Sequence, residues 1–140
     1  MSSIANKPTA GAGLLGNGAE LIGRAFLIAL FVISGVGKIF AYDGTVGYMS
    51  SAGVPGVLLP VVIATEVLGA LAVILGWQTR VAALLLAGFS LLSAMLFHHN
   101  FSDQMQMINF LKNVSIAGGF LLLAVHGPGA WSLDARKPNY

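Results

Sequence analysis

RVAALLLAGFSLLSAMLFHHN, Arg80 to Asn100, is a mainly apolar run with an arginine at one end and two adjacent histidines at the other. A helix needs roughly 20 mainly apolar residues to cross a bilayer core, and Arg80 to His98 meets that length. The apolar positions are continuous rather than alternating with period two, which points to a helix and excludes a β-barrel strand.

Three further segments have the same character. The expected spans are Leu21 to Phe40, Val57 to Gly76, Arg80 to His98 and Met107 to His126. The composition agrees: 56% of residues are hydrophobic and 9% charged, and the mean hydropathy is +0.84. Seven Lys/Arg and five Asp/Glu cannot coat a soluble domain of 140 residues. The expected fold is therefore all-α, an integral membrane bundle of four transmembrane helices.

Each boundary has a local cause. AYDGTVGYMSSAGVPG, Ala41 to Gly56, breaks the first helix and is expected to lie along the surface as a short amphipathic piece. Pro60 falls in the first turn of the second span, where a missing N–H costs little. GWQTR, Gly76 to Arg80, is a tight polar turn with an interfacial Trp77, and HHNFSDQMQ joins the third and fourth spans. HGPGAWSLD, from His126, ends the fourth and starts a polar tail. The domain reading is a flexible cytoplasmic N-tail over 1–20, a membrane domain over 21–126 and a cytoplasmic C-tail over 127–140.

Four spans put both termini on one side. Lys7, Arg24, Arg80, Arg136 and Lys137 fall on that side, whereas Lys38 and Lys112 on the other are offset by Asp43 and Asp103. The positive-inside rule then places both termini in the cytoplasm and His98 and His99 at the outer face.

Several function classes drop out. The pI near 9.2 comes from scattered single charges, not a basic patch, so nucleic acid is not an expected partner. There is no cysteine, hence no disulfide, thiolate metal site or CxxC redox chemistry. The N-terminus lacks the charged start and compact apolar block of a secretory signal. GAGLLG, Gly11 to Gly16, matches GxGxxG literally but has no strand before it and no βαβ unit around it.

Charges inside spans are costly, about 2.5–3.5 kcal/mol each at a helix centre, so they tend to face inward and pair. Arg24 and Lys38 are separated by nearly four whole turns, about 21 Å, and share a face with Ser34 and Gly35. Arg80 and His98, five turns apart, share a face about 27 Å long. Asn109, Lys112, Asn113 and Ile116 follow helical spacing, and Gly118 and Gly119 permit close approach of another helix. Glu66 is the deepest acid, about 13 Å below the outer boundary, with Lys112 about 8 Å deep. The expectation is that Glu66 pairs with Lys112 or Lys38, with Asn113 as a hydrogen-bond neighbour. The alternative is that these groups only fasten the bundle and set helix register, and that Lys38 and Arg80 snorkel.

GRAFLIALFVISGVGKIF, AGVPG, ATEVLGALAVILGWQTR, FHHNF, LKNVSIAGG and HGPGAWSLD, taken in order, resemble the DoxX family of small four-helix bacterial membrane proteins. The resemblance runs from about Gly23 to Asp134. Its recurring polar positions fall on Arg24, Lys38, Glu66, Arg80, His98, Lys112 and Asn113. It implies a link to redox enzymes of the membrane, since the family name comes from a subunit linked to thiosulfate:quinone oxidoreductase. It also implies the bacterial inner membrane.

Against those residues the chemical options are unequal. Haem is disfavoured because His98 and His126 sit at opposite membrane faces, and His98 and His99 point about 100° apart on a helix. Adjacent histidines with Asp103 make a poor metal-ligand spacing, so no metal is expected. A quinone fits better: His98, Lys112 or Asn113 could donate to a carbonyl, Glu66 could pass protons, and Phe97, Phe101 and Phe110 could wall a groove. With no cysteine, flavin motif or haem pair, the chain is not expected to be catalytic alone. The reading is a quinone-linked or anchoring subunit of a membrane redox assembly, with lipid, other membrane or redox subunits, and a homo-oligomer as its partners. Two alternatives stay open: an accessory subunit of a larger membrane complex, or a small-solute or ion pathway, disfavoured by the lack of repeats and broken helices. His98 is expected inward and His99 toward water or headgroups.

Overall fold

A computed structural model describes residues 13–136. Lys7, Lys137 and Gly11 of the glycine motif lie outside the described residues. Every regular element among the described residues is a helix: α1 Leu14–Phe40, α2 Tyr42–Ser51, α3 Leu59–Leu75, α4 Thr79–Phe97 and α5 Gln104–His126. Four of them are long and apolar enough to cross a membrane, α1, α4, α5, and α3 together with the 3₁₀ turn Gly56–Leu58 that leads into it.

The first span begins at Leu14, earlier than the expected Leu21, so residues 14–20 are helix rather than tail. Gly16, Asn17 and Gly18 have weak helix propensity, but propensity is a small term beside the packing of a 27-residue helix. The surface piece is α2. Asp43 sits in its first turn, where the helix dipole favours an anion, and Met49 is its one buried side chain.

Helix ends are closed by local chemistry. Asp103 caps α5, its carboxylate accepting Met105 N–H at 2.9 Å. α3 stops at Gly76, whose φ of +69° suits a residue without Cβ, and Trp77 N–H returns to Ala72 O at 2.9 Å. Gly76 is constrained by space as well, because a Cβ there would lie 2.8 Å from the Ser132 backbone.

That contact reflects the main departure from expectation. Residues 127–136 do not leave as a polar tail but fold under the bundle end. Leu133 N–H donates to Leu75 O at 3.0 Å, Asp134 N–H donates to Gly76 O at 2.7 Å, and Ser132 is buried. The Asp134 carboxylate then accepts Gln78 and Thr79 N–H, both at 2.9 Å, capping α4 from 55 residues away in sequence. The cause is the tight α3–α4 turn, which leaves carbonyls of one helix and amides of the next without partners. Replacing Asp134 with alanine should cost about 1–2 kcal/mol, the usual worth of an N-cap. Thermal unfolding in detergent measures it, and an unchanged midpoint would remove Asp134 from this role.

α4 packs most extensively along α5 and α1 along α3, with α3 against α4 joining the two pairs. Small side chains at these seams, Ala70, Ala83, Ala87, Ala117 and Ala124, let the helices approach closely. Ile28, Phe31, Leu86 and Phe120 fill the centre. α1 and α5 touch only locally. They meet where Leu27 lies over Gly119, and a Cβ on that glycine would come within 2.8 Å of Leu27 Cδ2. The outer faces carry exposed Phe26, Ile33, Leu68, Leu85, Leu122 and Val125, which lipid covers in a bilayer.

Candidate functional site

α1 and α3 pack closely around Gly35, where a Cβ would stand 2.8 Å from Val67 Cγ2 and 3.2 Å from Glu66 Cβ. The missing side chain brings Ser34 and Lys38, one turn apart on α1, onto the Glu66 carboxylate. Lys38 Nζ lies 3.1 Å from both Glu66 oxygens, and the Ser34 hydroxyl donates to Oε1 at 3.2 Å. Lys38 also donates to Ser34 Oγ, so the three groups form a closed network. Of the two expected partners for Glu66, the structure selects Lys38.

Two cavities flank this pair. One, of about 270 Å³, is lined by residues of all four long helices: Leu30, Phe31 and Ser34 from α1, Glu66 from α3, Phe89 from α4 with His98 just beyond it, and Asn109, Lys112 and Asn113 from α5. Its aromatic floor is built by Phe31, which meets Phe120 edge-on at 5.5 Å and Phe89 at 6.3 Å. The other, of about 170 Å³ and almost wholly apolar, lies beneath α2 between Lys38, Tyr48, Met49, Leu58 and Phe97. Tyr48 stacks on Phe97 at 5.3 Å and holds α2 over it.

Four of the seven expected site residues, Glu66, His98, Lys112 and Asn113, thus line one cavity, and Lys38 joins them through Glu66. Asn113 does not bond Glu66; its Nδ2 donates to Asn109 O at 3.0 Å. Arg24 and Arg80 lie at the other end of the bundle and cap helices. Arg24 is buried and donates to Val73 O and Ile74 O, both at 2.9 Å, and to Trp131 O. Arg80 donates to Ala124 O at 3.0 Å and Val125 O at 2.6 Å. The same inward faces carry both sets, but a face runs the length of a helix, and only the half away from Arg24 and Arg80 reaches the cavity.

The walls also differ from expectation. Phe97 faces the apolar cavity, and Phe101 packs edge-on against Phe110 at 5.0 Å, while the rings lining the polar cavity are Phe31 and Phe89. Those two sit in the middle of apolar runs and carried no sequence signal separating them from core. Among the described residues no three His, Asp or Glu side chains gather into a metal-binding group.

The two histidines are unequal. His98 is half-buried on the cavity and His99 is exposed. Burial first, and then the Lys112 ammonium, hold the His98 imidazole below its ordinary pKa. The unfolded chain therefore takes up a proton at His98 near pH 6.5 while the folded one still resists it, and stability falls as pH drops through that value. His98→Gln should flatten the loss of thermal stability between neutral and mildly acidic pH. His99→Gln should leave it as in the parent, and the reverse pattern would exchange the two assignments.

A family model described as DoxX matches residues 19–99, more than half of the chain. That match spans α1 to α4 and stops short of α5, which supplies Asn109, Lys112 and Asn113. The chain is 51% identical over 114 residues to the inner membrane protein YqjF of Escherichia coli K12, covering 81% of this chain and 88% of that protein. It is 46% identical over 123 residues to the inner membrane protein YphA of the same strain, covering 83% of this chain and 88% of that protein. No solved structure matches.

Proposed function

Because the chain belongs to the DoxX family, we propose that it is the quinone-linked subunit of an inner-membrane redox assembly and that the polar cavity takes the quinone headgroup. The observation that carries this reading is the convergence of all four long helices on one cavity with aromatic, amide, imidazole and ammonium groups on its walls, inside an otherwise apolar bundle. At about 270 Å³ it is near the lower end of small-molecule sites, the size for a headgroup rather than a whole amphiphile.

Lys112 and Asn113 supply N–H donors for a carbonyl oxygen, and Phe31 and Phe89 supply ring faces. Glu66, held by Lys38 and Ser34, is the acceptor through which a proton can leave. A bound quinone supplies the electron-accepting chemistry; the chain binds, orients and shields it, and a partner protein delivers the electrons. Both termini lie in the cytoplasm in this reading, on the side of Arg24, Arg80 and Arg136.

The test is purification in mild detergent followed by solvent extraction and chromatography. Quinone should accompany the parent protein together with a redox partner, and Lys112→Ala/Asn113→Leu should lose the quinone while eluting as the parent does. Co-purified proteins without quinone, and no uptake of added quinone, would favour the accessory-subunit reading instead.

A further inference from the structure

Charge on the cavity wall does not balance. Glu66 is the one carboxylate lining it, and its charge is matched by Lys38, whose Nζ lies 3.1 Å from both oxygens. Lys112 lines the same cavity while remaining exposed, and among the described residues it has no ion pair and no hydrogen-bonding partner. It stands two turns into α5, about 12 Å along the helix from Gln104. An ammonium facing the apolar part of a bilayer is costly, and such charges are ordinarily met by a counter-charge. Asn113 adds a second donor, since its Nδ2 carries two N–H groups and Asn109 O takes one.

We propose that the cavity binds its ligand as an anion, a planar headgroup carrying an ionised hydroxyl, with Lys112 as the counter-ion and Asn113 as a supporting donor. This rests on the quinone reading and narrows it to acidic, hydroxylated quinones. Neutral quinones lacking that group leave the Lys112 charge unmatched and bind more weakly. A fatty-acid carboxylate presents the same charge to Lys112 without the ring, so the probes must separate the two sources.

Equilibrium dialysis of the full chain in mild detergent near neutral pH compares three probes: a hydroxynaphthoquinone ionised at that pH, its methyl ether, and decanoate. The hydroxyquinone should bind at least about tenfold tighter than the ether. Lys112→Gln should bring the two together, and Lys112→Arg should keep them apart; unchanged elution and unfolding midpoint establish that each variant is folded. Equal binding of hydroxyquinone and ether by the parent overturns the anion inference and leaves the quinone reading standing. So does a preference that survives Lys112→Gln. Binding of decanoate alone, dependent on Lys112, overturns both the hydroxyquinone inference and the quinone reading, and assigns the site to a fatty-acid carboxylate. Binding of none of the three overturns both.

Discussion

Replacing Lys38 with methionine should destabilise the protein by about 3–5 kcal/mol, the cost of leaving a buried charge without its partner. Glu66 has a side chain 5% exposed against 25% for Lys38, so the carboxylate is the group that suffers when the pair is broken. Ser34 remains as a donor to Oε1, but a neutral hydroxyl does not replace an ammonium shared between both oxygens. Converting both residues, Lys38→Met with Glu66→Met, should recover most of the loss, because a packed apolar pair often matches or exceeds a buried ion pair in stability. That double variant should fold and keep its quinone through Lys112 and Asn113 while losing the proton acceptor on the cavity wall, separating the fastening role of the pair from the role of Glu66 in the cavity. Unfolding in detergent gives the stabilities. If Lys38→Met alone were as stable as the parent, the pair would not hold α1 to α3.

Arg24→Met should be nearly as damaging, by about 2–4 kcal/mol. The guanidinium serves three carbonyls at once, Val73 O and Ile74 O in the last turn of α3 and Trp131 O in the C-terminal segment. Each buried carbonyl left alone costs roughly 1–3 kcal/mol, but two of the three bonds are only partly buried, and water at the bundle end can replace them, so the sum stays below the simple total. Methionine preserves the packing of the stem, so the loss reports the hydrogen bonds. The consequence is local as well as global: residues 127–136 should become sensitive to added protease before the helices do. Lysine at position 24 should restore part of the stability, since it lacks the forked geometry that reaches several carbonyls together. Combined with Asp134→Ala the losses should fall short of additive, because both residues hold the same segment. Full additivity would mean that they act on separate structures.

The readability of this chain differs between its elements. α3, α4 and α5 stand near their expected limits because a long apolar run has one stable form in lipid, a helix with its backbone bonds satisfied internally. α2 was legible as a surface piece from the Gly- and Ser-rich break before Pro55. The start of α1 was not, since Gly16 and Gly18 read as tail while their place in the helix depends on the continuous turn-by-turn bonding of the residues that follow. The C-terminal segment departs from its expected form for a related reason. HGPGAWSLD has the composition of a tail, and nothing local in it says that Asp134 reaches the amides of Gln78 and Thr79.

At the cavity the division is sharper. Helical spacing was enough to put His98, Lys112 and Asn113 on faces that reach the cavity, and the depth of Glu66 in its span limited its partners to two lysines, because spacing and rise are fixed along a rigid helix. It could not choose between them: Lys38 was settled by Gly35, which lets α1 close on α3, and Lys112 was left facing the cavity from a helix that α1 barely touches. Periodicity likewise could not separate Arg24 and Arg80 from the cavity group, since a shared face says nothing about height until the helix ends and their unsatisfied carbonyls are in place. Direction is a property of one helix and is written along the chain. Distance is a property of how the helices pack, and only the assembled bundle decides it.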